Sequence, residues 1–177
     1  MVYVLDPTAE LGADIADQGP DLTALAGARV GIRVDILWRS WDWVTDEWAK
    51  LLEADGASVC FWRARGRTGD QGVQMLDELD DFSKRIDAAI VGLGNCGSCT
   101  SWTIHDALRI ADHDVATVAA TTAHFTELGH TLARRGGRSA LRIETLPYPL
   151  DTLPEEHVRD IARQRYRSVV RALGVRA

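Results

Sequence analysis

The chain has 177 residues, 46% of them hydrophobic and 26% charged, with a formal net charge of -6. That length and mixture fit one globular domain with an ordinary core, and the acidic balance argues against a general nucleic-acid binder, whose footprint is basic. No apolar stretch approaches the roughly 18 residues of a membrane span, and the acidic start (Asp6, Glu10, Asp14, Asp17) lacks the basic opening and apolar centre of a signal peptide.

Residues 1–27 read as an extension punctuated by Pro7, Gly12, Gly19 and Pro20, and residues 28–177 as a single α/β domain. A strand is predicted over Arg29–Leu37, followed by a helix over 42–55 with Val44, Trp48 and Leu51/Leu52 on one face and Gly56 as its stop. A second strand over Ala57–Trp62 leads through the Gly- and Arg-rich loop Arg63–Gly72 to an acidic helix, Val73–Arg85, whose Asp77, Glu78, Asp80 and Asp81 read as a solvated face. The third strand, Asp87–Gly92, enters a cysteine loop and a helix ending near Ala111. Val115–Ala120 is a short strand, Thr122 a candidate N-cap for a helix carrying Phe125, Leu128 and Leu132, and Ala140–Thr145 a fifth strand. Pro147-Tyr148-Pro149 is a turn, and Pro154–Leu173 the last helix. The Arg134–Arg142 cluster and the arginines from Arg159 to Arg171 read as cationic surface.

Strand and helix alternate, and the inner strands are continuous apolar runs. Both point to a parallel sheet covered on its two faces. The expected fold is an open doubly wound (Rossmann-like or flavodoxin-like) α/β sandwich with a mostly parallel sheet of four or five strands. Ligands in such sheets bind outside the carboxyl ends of the strands. That rule gathers Arg39–Trp43, Arg63–Gly69, Asn95–Thr100, Thr121–Phe125 and Pro147–Pro149 at one edge.

The centre of that edge carries Cys96 and Cys99, two residues apart between a buried strand and a helix marked by Ile104, Ala107, Leu108 and Ala111. Unpaired N–H groups and the positive end of a helix dipole stabilise a thiolate at such a place. Two blander readings stand beside the reactive one. Free cysteine is often a small buried hydrophobe, which is the reading for Cys60 in Ser58–Trp62. A Cys-x-x-Cys pair is also half of a zinc site, but no second pair exists and no histidine pair follows at finger spacing, so no metal is expected. Gly92-x-Gly94-x-x-Gly97 matches a dinucleotide fingerprint by letter only: it follows the third strand, and cysteines occupy the phosphate turn. No cofactor is therefore expected.

Four of the six tryptophans fall between positions 38 and 48. Trp43 and Trp48 read as helix packing, while Trp38 and Trp41, at the strand end, read as pocket-lining. His124 is the best-placed histidine for general acid/base duty; a solvent-facing ring is the competing reading. Asp106, about 10 Å from Cys99 along a helix, suits orientation or packing better than proton transfer.

The segment Gly94-Asn95-Cys96-Gly97-Ser98-Cys99-Thr100 resembles the signature of the UGSC-motif family of bacterial selenoproteins and their cysteine homologues. The likeness extends to Val4-Leu-Asp-Pro7, to Asp87-Ala-Ala-Ile-Val-Gly-Leu-Gly94, to Thr121-Thr-Ala-His-Phe125 and to Pro147-Tyr148-Pro149. It implies that Cys96 stands where selenocysteine works in other members, as a nucleophile or redox centre. Cys99 would then be the resolving thiol, and Ser98 and Thr100 local hydrogen-bond donors. Cysteine at position 96 is the non-seleno form, which leaves the persistence of a redox role open.

The leading expectation is a cytoplasmic thiol-dependent enzyme acting on a small molecule, an oxidoreductase or transferase, with Cys96, Cys99 and His124 as catalytic residues. Asn95, Ser98, Thr100, Thr121, Thr122, Phe125, Arg39, Trp41 and Tyr148 are the candidate substrate-binding residues. Two alternatives remain. One is a non-redox cysteine nucleophile for acyl or thioester transfer or thiol addition, with Thr121, Thr122 and His124 assisting. The other is a non-catalytic ligand-binding or partner subunit. The partners foreseen are the small substrate, a thiol reductant or partner subunit, and a second copy in a homodimer, with no nucleic acid and no membrane.

Overall fold

The structure, a computed structural model, describes residues 17–176. The resembling segment at residues 4–7 and most of the expected extension lie outside them. Five strands, β1 (Arg29–Val34), β2 (Ser58–Arg63), β3 (Ala88–Gly94), β4 (Ala116–Thr122) and β5 (Arg142–Leu146), form one sheet in the order β2-β1-β3-β4-β5. Every pairing is parallel. This is the doubly wound order of the flavodoxin-like fold, whose strand order reverses between β1 and β3 while the strands stay parallel. The helices are α1 (Arg39–Ala54), α2 (Gly69–Ser83), α3 (Gly97–Ala111), α4 (Thr126–Arg135) and α5 (Glu155–Ala172).

Alternation along the strands sorts the core into two halves. Val30, Ile32 and Val34 of β1 and Ala88, Ile90 and Leu93 of β3 pack with α1 and α5. Ala89 and Val91 of β3 pack with α2, α3 and α4 on the other face. On α1 the buried stripe is Trp41, Val44, Trp48 and Leu52, each at most 1% exposed. α5 answers with Val158, Ala162, Tyr166 and Val169. The Trp41 and Trp48 rings meet edge to face at 5.6 Å, and Trp48 Nε1 donates to the Ala162 carbonyl at 2.8 Å. A large apolar side chain buried this way contributes roughly 1.5–3 kcal/mol, so this stripe anchors both helices to the sheet.

Several boundaries differ from the expected ones for visible reasons. β1 stops at Val34 because the Asp35 carboxylate accepts the Leu37 N–H at 2.8 Å, turning the chain. Ile36 and Leu37 are thrown out to solvent, at 66% and 62% exposure. Cys60 is exposed, not buried, because β2 is an edge strand that faces solvent along much of its length. Thr122 stands at the N-cap position of a short turn of 3-10 helix, Ala123–Phe125, that precedes α4, but its hydroxyl donates to Asn95 Oδ1 at 2.9 Å and makes no capping bond. α4 therefore buries Gly129 and Ala133 and leaves Leu128 exposed. The acidic face of α2 is only partly solvated, since Glu78 pairs with Arg65 and Asp80 with Arg109 and His113. Residues Gln18–Leu25, counted with the extension, lie against the domain: Leu22 and Leu25 join the core, and Leu22 N–H donates to the Leu173 carbonyl at 2.8 Å.

Candidate functional site

The site forms where β3 delivers the cysteines to the carboxyl edge of the sheet. Two glycines make the close approach there. A Cβ on Gly92 would lie 2.5 Å from the Trp41 ring, and one on Gly94 would lie 2.9 Å from Thr121 Cγ2 and 3.0 Å from Thr100 Oγ1. Cys96 follows with an extended backbone and occupies the N-cap position of α3. Its sulfur accepts the Cys99 N–H at 3.1 Å, the contact a serine or aspartate oxygen usually makes at this position. Thr100 binds the Cys96 carbonyl twice, through its hydroxyl at 2.6 Å and its N–H at 2.9 Å. Ser98 Oγ lies 3.4 Å from Cys96 Sγ.

Cys96 and Cys99 are joined as a disulfide with their Cα atoms 5.1 Å apart, within the span such bridges adopt. The two sulfurs differ in access. Cys96 is half-buried, whereas Cys99 is 4% exposed. The free thiol, Cys60, lies on β2, and partial burial pushes it up from its ordinary value.

Asn95 ties the approach to the cysteines together. Its Nδ2 donates to Asp151 Oδ2 at 2.5 Å and its Oδ1 accepts the Thr122 hydroxyl, while Asp151 also receives the Ser40 hydroxyl at 2.7 Å. One side chain thus links the ends of β3 and β4, the start of α1 and the segment after β5.

On the opposite side of the cysteines lies an ionic cluster. Arg33, in the interior strand β1, is 2% exposed, and Asp106 of α3 is 1% exposed. Arg33 Nε donates to Asp106 Oδ2 at 2.8 Å, and Nη1 to the Gly92 carbonyl at 2.6 Å and to Asp35 Oδ2 at 3.3 Å. Arg67, from the β2–α2 loop, grips both Asp106 oxygens at 2.8 and 2.5 Å and lies over the Trp102 ring at 4.9 Å. Burial pulls the Arg33 guanidinium below its ordinary value, and Asp106 opposes that pull. A carboxylate held by two guanidiniums this deep satisfies the rule that buried charge is paired. It also fixes α3, and hence the cysteines, against β1.

A cavity of about 170 Å³ opens between these groups, lined by Arg33, Asp35, Arg67, Ser98, Cys99 and Trp102 with Ile36, Leu37, Ala64 and Arg65. Of the expected site residues, Ser98 and Cys99 line this cavity, while Cys96 and Asn95 adjoin them in the chain without lining it. The structure puts other candidates elsewhere. Trp41 does not line the pocket: α1 starts at Arg39, earlier than expected, and turns Trp41 inward, where Nε1 donates to the Arg33 carbonyl at 3.2 Å. Thr100, Thr121 and Thr122 are fully buried and present no surface to a ligand. The Thr121 hydroxyl meets Thr126 Oγ1 at 3.0 Å. Arg39 is exposed and lies over the Trp43 ring at 5.3 Å.

His124, Phe125 and Tyr148 form a cluster of their own beyond β4. The His124 ring stacks on Tyr148 at 5.0 Å and meets Phe125 at 5.3 Å, and Phe125 meets Tyr148 at 6.1 Å. Among the described residues no hydrogen bond joins the His124 ring to either sulfur. Sequence reasoning placed the Arg63–Gly69 loop at this edge without singling out Arg67, and it missed Arg33, Asp35, Trp102 and Asp151. Arg33 carried a readable signal, since an arginine inside an apolar interior strand must find buried partners. Among the described residues no group of three or more His, Cys, Asp or Glu is placed to hold a metal, and no helix is long and apolar enough to cross a membrane.

Among curated proteins, none matches the chain. A solved structure of a diflavin flavoprotein A3 from Nostoc sp. aligns with 15% identity and a TM-score of 0.42, covering 81% of this chain and 98% of that one. The model of the UGSC family matches residues 3–175, nearly the whole length, and the chain belongs to that family.

Proposed function

We propose that the protein is a thiol–disulfide oxidoreductase acting on a small molecule, with Cys96 as the attacking sulfur and Cys99 as the resolving one. The observation that carries this reading is the asymmetric pair at the start of α3. The more accessible sulfur sits at the N-cap and accepts a helix N–H, and the buried one is within bonding reach. In the reduced protein the same N–H and the helix terminus favour the Cys96 thiolate.

In the cycle, Cys96 thiolate attacks one atom of a reducible bond in the substrate, and the other atom leaves with the electron pair and takes a proton. The Cys99 thiolate then attacks Cys96 Sγ, closing the internal disulfide and releasing the second fragment. Two electrons pass from the dithiol to the substrate, and an external thiol reductant restores the dithiol. The Arg33–Asp106–Arg67 cluster holds α3 in place while Asn95 and Asp151 fix the opposite approach.

Testing this requires the reduced protein. At neutral pH an alkylating agent is expected to modify Cys96 at least ~10-fold faster than Cys60. Equal rates at the two positions would overturn the assignment of Cys96 as nucleophile.

A further inference from the structure

The cavity beside Cys99 has a chemical bias. Three guanidiniums line it, from Arg33, Arg65 and Arg67, against one lining carboxylate, Asp35. Arg65 is taken up by Glu78, which it meets at 2.7 and 2.8 Å. The other two keep donors in reserve. A guanidinium carries five N–H groups. Arg67 places Nη1 and Nη2 on Asp106, and its Nε has no hydrogen-bond partner among the described residues. Arg33 uses Nε and Nη1, and its Nη2 likewise has none among the described residues, although the side chain is only 2% exposed. The remaining wall is apolar: Ile36 and Leu37 stand exposed at its lip and Trp102 is 40% exposed.

We infer that this cavity binds a small organic anion, its carboxylate received by Arg33 and Arg67 and its hydrocarbon part lying against Ile36, Leu37 and Trp102. Asp106 preorganises the receptor, because it fixes both guanidiniums before the ligand arrives and leaves their outer N–H groups facing a fixed direction. The ligand then lies beside Cys99 and Ser98. As the substrate class of the thiol–disulfide reading, the inference rests on that reading; the binding itself does not.

The test is a titration of the oxidised chain with isovalerate, a branched carboxylate without sulfur, and with its neutral counterpart isovaleramide, followed by nitrogen–proton NMR correlation spectra. Isovalerate is expected to shift the Ser98, Cys99 and Trp102 indole resonances saturably, with a Kd about tenfold or more below that of the amide. Arg67→Gln is expected to erase the difference. Leu37→Glu places a negative charge on the exposed lip and is expected to do the same without touching a buried pair, so the test survives a poorly folded Arg67→Gln. Equal affinity for acid and amide, no shift with either, or shifts at Arg167 and Arg171 along α5 instead would overturn the inference. The Cys96–Cys99 redox couple is read on the same sample. Acid binding without a couple keeps the anion site and overturns the redox reading, whereas a couple without acid binding overturns the anion site alone.

Discussion

The two flanks of the sheet's carboxyl edge are built on different physics. Toward β1 and β2, a buried carboxylate is shared by two guanidiniums next to a disulfide and a cavity. Toward β4 and β5, three rings, His124, Phe125 and Tyr148, lean on one another at the surface. Both flanks lie outside strand ends, where the fold places ligands, and the first adjoins Cys99 through a lined cavity. The lesson is that position at the edge nominates residues, while burial, charge pairing and an adjoining cavity choose among them.

The largest expected effect on that contrast comes from the cysteines. Cys96→Ser and Cys99→Ser should each remove the internal redox couple and turnover of any substrate found, read by thiol trapping and mass spectrometry. Retained turnover in either variant would remove the distinction between the flanks. Asp106→Asn comes next. It leaves the buried Arg33 and the half-buried Arg67 short of countercharge and should cost about 3 kcal/mol in urea unfolding, with the cysteines' alkylation rates changing as α3 loosens. A loss below ~1 kcal/mol would mean that the cluster is not a structural anchor.

On the other flank, Tyr148→Ala or His124→Ala removes an exposed ring pair that contributes about 0.5–1.5 kcal/mol. Either should lower stability by no more than that and leave the redox couple unchanged. A displaced couple in His124→Ala would restore the histidine to the catalytic set. The smallest effect concerns Glu144 on β5, whose carboxyl burial pushes above its ordinary value while the Ser168 hydroxyl pulls it back. A raised folded-state pKa means the protonated form is the one favoured by folding. That contribution is complete below the unfolded value of about 4.3 and is lost as pH rises through the folded value. Glu144→Gln should therefore melt higher than the natural protein at pH 7, with the gap narrowing on acidification. A gap that does not change with pH would show that Glu144 titrates normally.

Much of the architecture was legible in the residues because local chemistry decides it. The apolar runs at Ala88–Val91 and Val115–Ala120 could only be interior strands, and the cysteines at a strand–helix boundary followed from spacing alone. What escaped depends on tertiary placement. That β2 is an edge, and so exposes Cys60, is a fact of strand order that no single segment encodes. Trp41 turned inward because α1 begins three residues before the expected start, which shifts the residue onto the buried stripe. The Arg33–Asp106 pair joins positions 73 apart in the chain, and spacing rules do not reach that far. The Arg63–Gly69 loop was legible as part of the sheet's carboxyl edge, but that Arg67 in it would grip Asp106 was not.

The most direct measurement is the Cys96–Cys99 redox couple itself. The protein would be equilibrated in graded thiol–disulfide buffers, trapped with an alkylating agent and read cysteine by cysteine. The expected result is a two-electron couple between about -120 and -300 mV, confined to Cys96 and Cys99, with Cys60 outside it. No internal disulfide at any poise, together with a Cys96 that alkylates no faster than Cys60, would contradict the thiol–disulfide function.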